Sequence, residues 1–367
     1  MAAVSPPGPP GMRIEYNHDL DVSSDFLAAF PALDSILKDA RLISEFRRFN
    51  AIAIRNKRVF HVVGFLSLLF GLVPLVLAAV RLTVGEDRFA HLQLINPIAN
   101  AFGVAAILMV IVLRIGRFRR RWCQAIFCRE RLRQWHFQKF IDGELISSVG
   151  HDPSGFQAEL DRRWVHLQQN LRDGYGLMTQ FVNFAAHDDD FFFEQTAYTD
   201  PGIAKEVFDA LTTLRIDHQL RFSRGKIEPE SEGTGFPLAE RTTISETLAT
   251  MTLVGAVFVT AVSAALPSLT PTFGAVVLTE FDRAFVGVAL LLVVLSAATR
   301  AYRAGFTLPD EPESYGAYCD RVRELKAQFR AVSTDDERVR YLKQLEEESA
   351  AELRRYLRMK LRATFLM

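Results

Sequence analysis

The stretch His187-Asp188-Asp189-Asp190-Phe191-Phe192-Phe193-Glu194 gathers one imidazole and four carboxylates around three phenylalanines. Acid–base or metal chemistry would require those carboxylates to converge on one point. Neighbouring residues project about 100° apart in a helix and to opposite faces in a strand, so Asp188, Asp189 and Asp190 diverge in either conformation. A divalent cation would need further oxygen ligands, and none is marked by spacing. The stretch reads as a solvated helix start, with an aspartate as N-cap and the phenylalanines turned inward.

Cys123, Cys128 and His136 offer zinc-ligating atoms, but their spacing matches no standard knuckle and a fourth ligand is unmarked. Packed thiols and a histidine on a helix surface are expected instead. Arg131 and His136 have the arginine, four residues, histidine spacing that resembles HEPN-type ribonucleases, where the two side chains act on the RNA phosphodiester. Leu132 stands where a polar residue usually follows the arginine. The sequence carries no phosphate-binding glycine loop, nucleophile elbow or H-E-x-x-H motif. It therefore predicts no catalytic set, no cofactor and no bound metal.

The elements that would position these residues begin with four apolar runs. Residues 59–80 form 22 residues without a formal charge, about 33 Å of helix against a hydrocarbon core of roughly 30 Å. Pro74 lies inside this run, which membrane helices tolerate. Residues 97–116 carry one charge, Arg114, near the end, from where it can snorkel. Residues 249–266 and 284–299 are slightly shorter. The predicted fold class is an all-α membrane protein: four transmembrane helices in two hairpins, with long cytosolic helices.

The flanking charges orient the hairpins. Arg55, Lys57 and Arg58 precede the first run, and Arg117, Arg119, Arg120 and Arg121 follow the second. The intervening loop balances Arg81 and Arg88 with Glu86 and Asp87. Lysine and arginine stay on the cytoplasmic side, so these seven cations are expected at the inner membrane surface. Both termini are predicted to be cytoplasmic, and the protein to be multi-pass in the bacterial inner membrane. The net charge of zero recruits no nucleic acid, and no specific nucleic-acid binding is expected. Cys123, Cys128 and Cys319 fall on the cytosolic side, where free thiols are expected.

Small and weakly polar residues mark one face of the third run: Ala249, Thr252, Ala256, Thr260 and Ser263. Gly64, Ser67 and Gly71 mark a similar face of the first. Such faces let helices approach closely. They serve either helix packing or, after oligomerisation, a solute pathway.

The remaining segments read as follows. Residues 1–20 are a disordered proline- and glycine-rich leader, and 21–58 a cytosolic amphipathic helical segment. The first transmembrane hairpin occupies 59–116. A cytosolic helical domain follows over 117–224: a helix that continues out of the membrane, an amphipathic helix over 154–172 broken by Gly174 and Gly176, and a helix over about 202–220 starting at Asp200-Pro201. A linker covers 225–244, the second transmembrane hairpin 245–300, and cytosolic C-terminal helices 301–367. Ser333 and Thr334 stand three residues before Asp336 and Glu337, a capping-box pattern. The apolar side of the last helix is interrupted by Glu346-Glu347-Glu348-Ser349-Ala350-Ala351-Glu352.

The layout resembles the SLATT group of bacterial membrane proteins. The likeness lies in a basic entry, a hairpin and an arginine-rich helix beyond it, as in residues 128–140 (CRERLRQWHFQKF), and again in 318–332 and 341–357 over the span 245–361. Four spans depart from that group's two. The resemblance implies a membrane-disrupting or pore-forming effector of antiphage or nucleotide-signalling defence. Its partners would be the lipid bilayer, further copies of the chain, and a sensor protein or nucleotide second messenger. A membrane tether for a soluble partner is the alternative, and a membrane-bound ribonuclease the second.

Overall fold

Apolar side chains recur at three- and four-residue steps along most of the chain, and the computed structural model is helical throughout its regular elements. It describes residues 19–84, 95–172, 174–183, 191–227, 238–265, 275–306, 310–363 and 365. Most of the 1–20 leader, the 187–190 part of the acidic stretch and much of the 225–244 linker lie outside the described residues. No strand occurs among the described residues.

The chain divides into two compact units. The first combines three segments: 1–55, 120–233 and 311–361. Its elements are α1 (Ser24–Ala29), α2 (Asp34–Leu37), the start of α3 (Ala40–Val84), α5 (Phe118–Gln138), α6 (Gly143–Ser148), α7 (Pro153–Arg172), α8 (Gly174–Asn183), α9 (Pro201–Leu211), α10 (His218–Ile227), α13 (Glu311–Ala331) and α14 (Asp335–Arg362). All three segments feed one core, with Leu33, Ile36 and Leu42 from the first, Trp135, Trp164 and Leu211 from the second, and Val322 and Leu342 from the third.

Local chemistry sets the helix starts. Asp152 accepts the Gly155 N–H at 2.9 Å ahead of α7, satisfying one amide that the first turn leaves unpaired. That bond, a second from the Ser154 hydroxyl and the nearby His151 outweigh a small desolvation penalty and hold its carboxyl below the usual range. Asp200 caps α9 by accepting from Gly202 and Ile203, with Pro201 in the first turn. The Thr334 hydroxyl donates to the Glu337 carboxylate at 2.7 Å at the start of α14, so the second of the two expected pairs is in side-chain contact.

Three sequence expectations are corrected here. The helix leaving the second run does not continue unbroken: α4 (Ile95–Gly116) stops, Arg117 takes φ of 49°, and α5 begins anew at Phe118. A left-handed residue cannot extend a right-handed ladder. Gly174 and Gly176, expected as breakers of the helix over 154–172, are themselves helical: α7 ends at Arg172, and α8 starts at Gly174. The helix expected over 202–220 contains a π-helical turn, Thr212–Asp217, a form found mostly as single wide turns inside α-helices.

The second unit holds residues 56–119, 234–310 and 362–367. Its helices are the rest of α3, α4, α11 (Leu238–Ala265) and α12 (Ala275–Phe306). Four helices, lying in α3, α4, α11 and α12, are long and apolar enough to cross a membrane. Val104, Ile107, Ile111 and Ile115 on α4 and Val254, Val257 and Phe258 on α11 are exposed. Apolar surface of this extent marks an interaction site in a water-soluble protein and is the ordinary outer face of a lipid-embedded one. The unit is thus compatible with a multi-pass membrane protein.

Candidate functional site: the charged core of the first unit

Helix α5 is dense in charged residues, yet from Arg131 to Gln138 every residue is buried. Arg131, Arg133, Gln134, His136, Gln138 and Lys139 are each at most 7% exposed. Buried charges persist only when paired and hydrogen-bonded, so each needs a partner. Arg133 lies 2.7 Å from Asp19 and 2.5 Å from Glu130. Burial alone would raise the Glu130 carboxyl; Arg133 and Arg129 outweigh that and hold it at about 2. Arg131 donates to Gln134 at 2.9 Å. Lys139 donates to the Ile36 carbonyl.

The π-helical turn supplies the next charge. Arg215 Nε lies 2.7 Å from Glu346 Oε1 on α14, and its Nη2 2.9 Å from Oε2. This parallel fork is the strongest geometry available to the two groups. The sequence alone does not reveal it, because Glu346 reads as an interruption of the apolar face. The carboxylate is 2% exposed and continues that face into the core. The available signal was positional. Ala204, Val207, Phe208 and Leu211 set an apolar stripe on α9, and Arg215 and His218 occupy its next two positions.

The phenylalanines of the acidic stretch are cation receptors. Lys343 stands 5.4 Å from the Phe191 ring centre, Arg131 4.2 Å from Phe192, and Arg163 4.6 Å from Phe193. Each faces the negative side of the ring quadrupole. Phe193 also packs on Trp135 at 5.6 Å. Beyond them the chain is strapped to residues 141–147. Gly143 donates to the Thr196 carbonyl and Thr196 to the Ile141 carbonyl, both at 3.3 Å. The Tyr198 hydroxyl donates to the Phe140 carbonyl at 2.6 Å.

Several expected site residues are thereby placed. His136 is not a surface histidine, since none of it is exposed. Burial, then Lys139, Arg215 and Arg133, push it well below the usual imidazole range, so it stays neutral. Arg131 is 3% exposed. A phosphodiester would reach either side chain only if this core opened. Cys123, Cys128 and Cys319 are buried and form no disulfide; burial, only partly offset by Arg48, pushes the Cys128 thiol up to about 12. No group of three metal-ligating side chains occurs among the described residues. Lys139, drawn down to about 7 by burial against the weaker pull of Asp39, would be a nucleophile if substrate reached it. At 1% exposure and bonded to Ile36, it is not reachable.

In the second unit the small-residue face of α11 divides. Ala249, Thr252 and Ala256 are buried, and the Ser296 hydroxyl of α12 donates to the Ala249 carbonyl at 3.0 Å. Thr252 and Thr260 return their hydroxyls to Leu248 and Ala256 of their own helix, both at 2.8 Å. Thr260 is exposed, and Ser263 bonds Asp282. On α3, Gly64 is buried, the Ser67 hydroxyl donates to its carbonyl at 2.7 Å, and Gly71 approaches Ala106. Arg55, Lys57, Arg58, Arg117 and Arg121 are exposed, while Arg119 and Arg120 are half-buried. The Arg119 guanidinium donates to the Ala363 carbonyl. Comparison of the chain with protein families, with curated proteins and with solved structures finds no match.

Proposed function

We propose that the chain is a regulated effector of the bacterial inner membrane, in which a cytoplasmic helical unit governs two transmembrane hairpins and the activated oligomer opens or disrupts the bilayer. The observation that carries this reading is α3. It places Leu42 and Phe46 in the core of the first unit and runs on, without interruption, through the first apolar run to Val84. A repacking of that core is thereby a displacement of a span, and a signal acts by favouring one packing over another. The resemblance to the SLATT group suggests a sensor protein or a nucleotide messenger as that signal. It also sets the context as antiphage or nucleotide-signalling defence.

Packing on α11 favours a second reading, a membrane tether for a soluble partner. Ala249, Thr252 and Ala256 are occupied within the chain, and the two threonine hydroxyls bond their own helix. The experiment is dye release from vesicles of phosphatidylethanolamine and phosphatidylglycerol carrying the full chain. The effector reading expects release that changes when the core end of α3 is loosened by Phe46→Ala. Release no greater than that of protein-free vesicles, in both wild type and variant, makes the chain a tether.

A further inference from the structure

Phe365, just beyond α14, packs inside the second unit and is 4% exposed. Its ring lies between two glycines. A Cβ added at Gly64 of α3 would overlap one edge of the ring, at Cδ2 and Cε2, and a Cβ added at Gly305 of α12 would overlap the opposite edge, at Cδ1 and Cε1. Phe60 and Phe306 close the site, each with its ring centre 5.2 Å from that of Phe365. His61 stacks on Phe306 at 4.6 Å. Ahead of the ring, the Ala363 carbonyl is held by Arg119. One aromatic side chain therefore touches the first and fourth apolar helices at once, through positions where only glycine leaves room.

We propose that the Phe365 ring is a removable wedge, fixing the spacing of α3 and α12 while seated and freeing the pair when withdrawn. The glycines are what make it a latch. A methyl at 64 or 305 would overlap the seated ring and force it to shift, so Phe365 is the first side chain that such a change meets. An aromatic ring held by dispersion, edge contacts and one backbone hydrogen bond can leave and return without breaking covalent structure. The proposal stands whether or not the membrane unit leaks, because its readout is a distance.

The test uses the full chain in phosphatidylcholine–phosphatidylglycerol vesicles, with spin labels at Val62→Cys and Arg300→Cys, both exposed positions. Wild type is expected to give one narrow distance peak. Phe365→Ala and Gly305→Ala should each lose it, and Gly71→Ala, where the added carbon meets Ala106 at an ordinary 4.0 Å, should keep it. Gly64→Ala should also lose the peak, and adding it to Phe365→Ala should change nothing further, since coupled residues are non-additive. A narrow peak retained in Phe365→Ala overturns the latch. So does a Gly64→Ala effect that persists in full on the Phe365→Ala background, which would assign the glycine to direct helix contact. If Phe365→Ala fails to insert, the Gly305→Ala and Gly71→Ala pair carries the same decision.

Discussion

Lys139 Nζ and His136 Nδ1 lie 3.4 Å apart, both inside the first unit. Two cations cannot share that space. Burial lowers Lys139 to about 7 from an ordinary 10.5, so between those values the unfolded chain holds a proton that the folded chain has released. Stability contributed by this group therefore rises with pH over that window. The limiting slope is about 1.4 kcal/mol per pH unit.

Lys139→Met should flatten that limb. The comparison is the difference between wild-type and variant unfolding free energies from pH 7 to 9.5, below the range where tyrosines ionise. All three tryptophans, Trp122, Trp135 and Trp164, belong to the first unit, so their fluorescence reports it. Parallel curves for the two proteins would show that Lys139 does not titrate in this range.

The Arg215–Glu346 pair makes a separate prediction. Both side chains are 3% exposed, so removing one partner leaves an uncompensated charge in the core. Glu346→Leu alone should cost about 3–5 kcal/mol, while Arg215→Met with Glu346→Leu should recover most of that. Denaturant titration of wild type, the single and the double variant separates the cases. A double variant as unstable as the single one would mean that the fork is worth more than its desolvation.

Gly143 is fixed by close approach. An added Cβ would lie 2.5 Å from the Tyr198 nitrogen and 2.6 Å from the Ala197 carbonyl carbon, both backbone atoms that cannot swing away. Gly143→Ala is expected to destabilise the unit by about 1–3 kcal/mol. It should also speed amide exchange at Thr196, whose N–H bonds Ile141. Unchanged protection there would show that the strap relaxes around the methyl.

The four spans were legible because length and missing charge are local properties. The helix over 154–172 was legible for a related reason: Phe156, Leu160, Trp164 and Leu167 form a stripe, and all four are buried. The charged core was not legible. Arg133 meets Asp19 across 114 residues and Arg215 meets Glu346 across 131, and spacing along the chain carries no trace of such pairings. A charged or polar side chain without a visible partner reads as solvent-facing, which is why the sequence places His136 on a helix surface although it is buried. The phenylalanines at 191–193 were expected inside, and they are at least half-buried. That each would receive a cation from a different helix depends on tertiary packing alone.

The first unit is assembled from three stretches separated by both hairpins, and this has a consequence during translation. Ile36, Leu42 and Arg215 leave the ribosome before α11 and α12, whereas Val322, Leu342 and Glu346 leave it afterwards. Until then the nascent domain carries a half-built interior and an orphaned guanidinium, a state prone to aggregation. The first unit therefore closes only after α12 has been made, and a holdase that shields the incomplete chain would have its longest task while α11 and α12 are being synthesised.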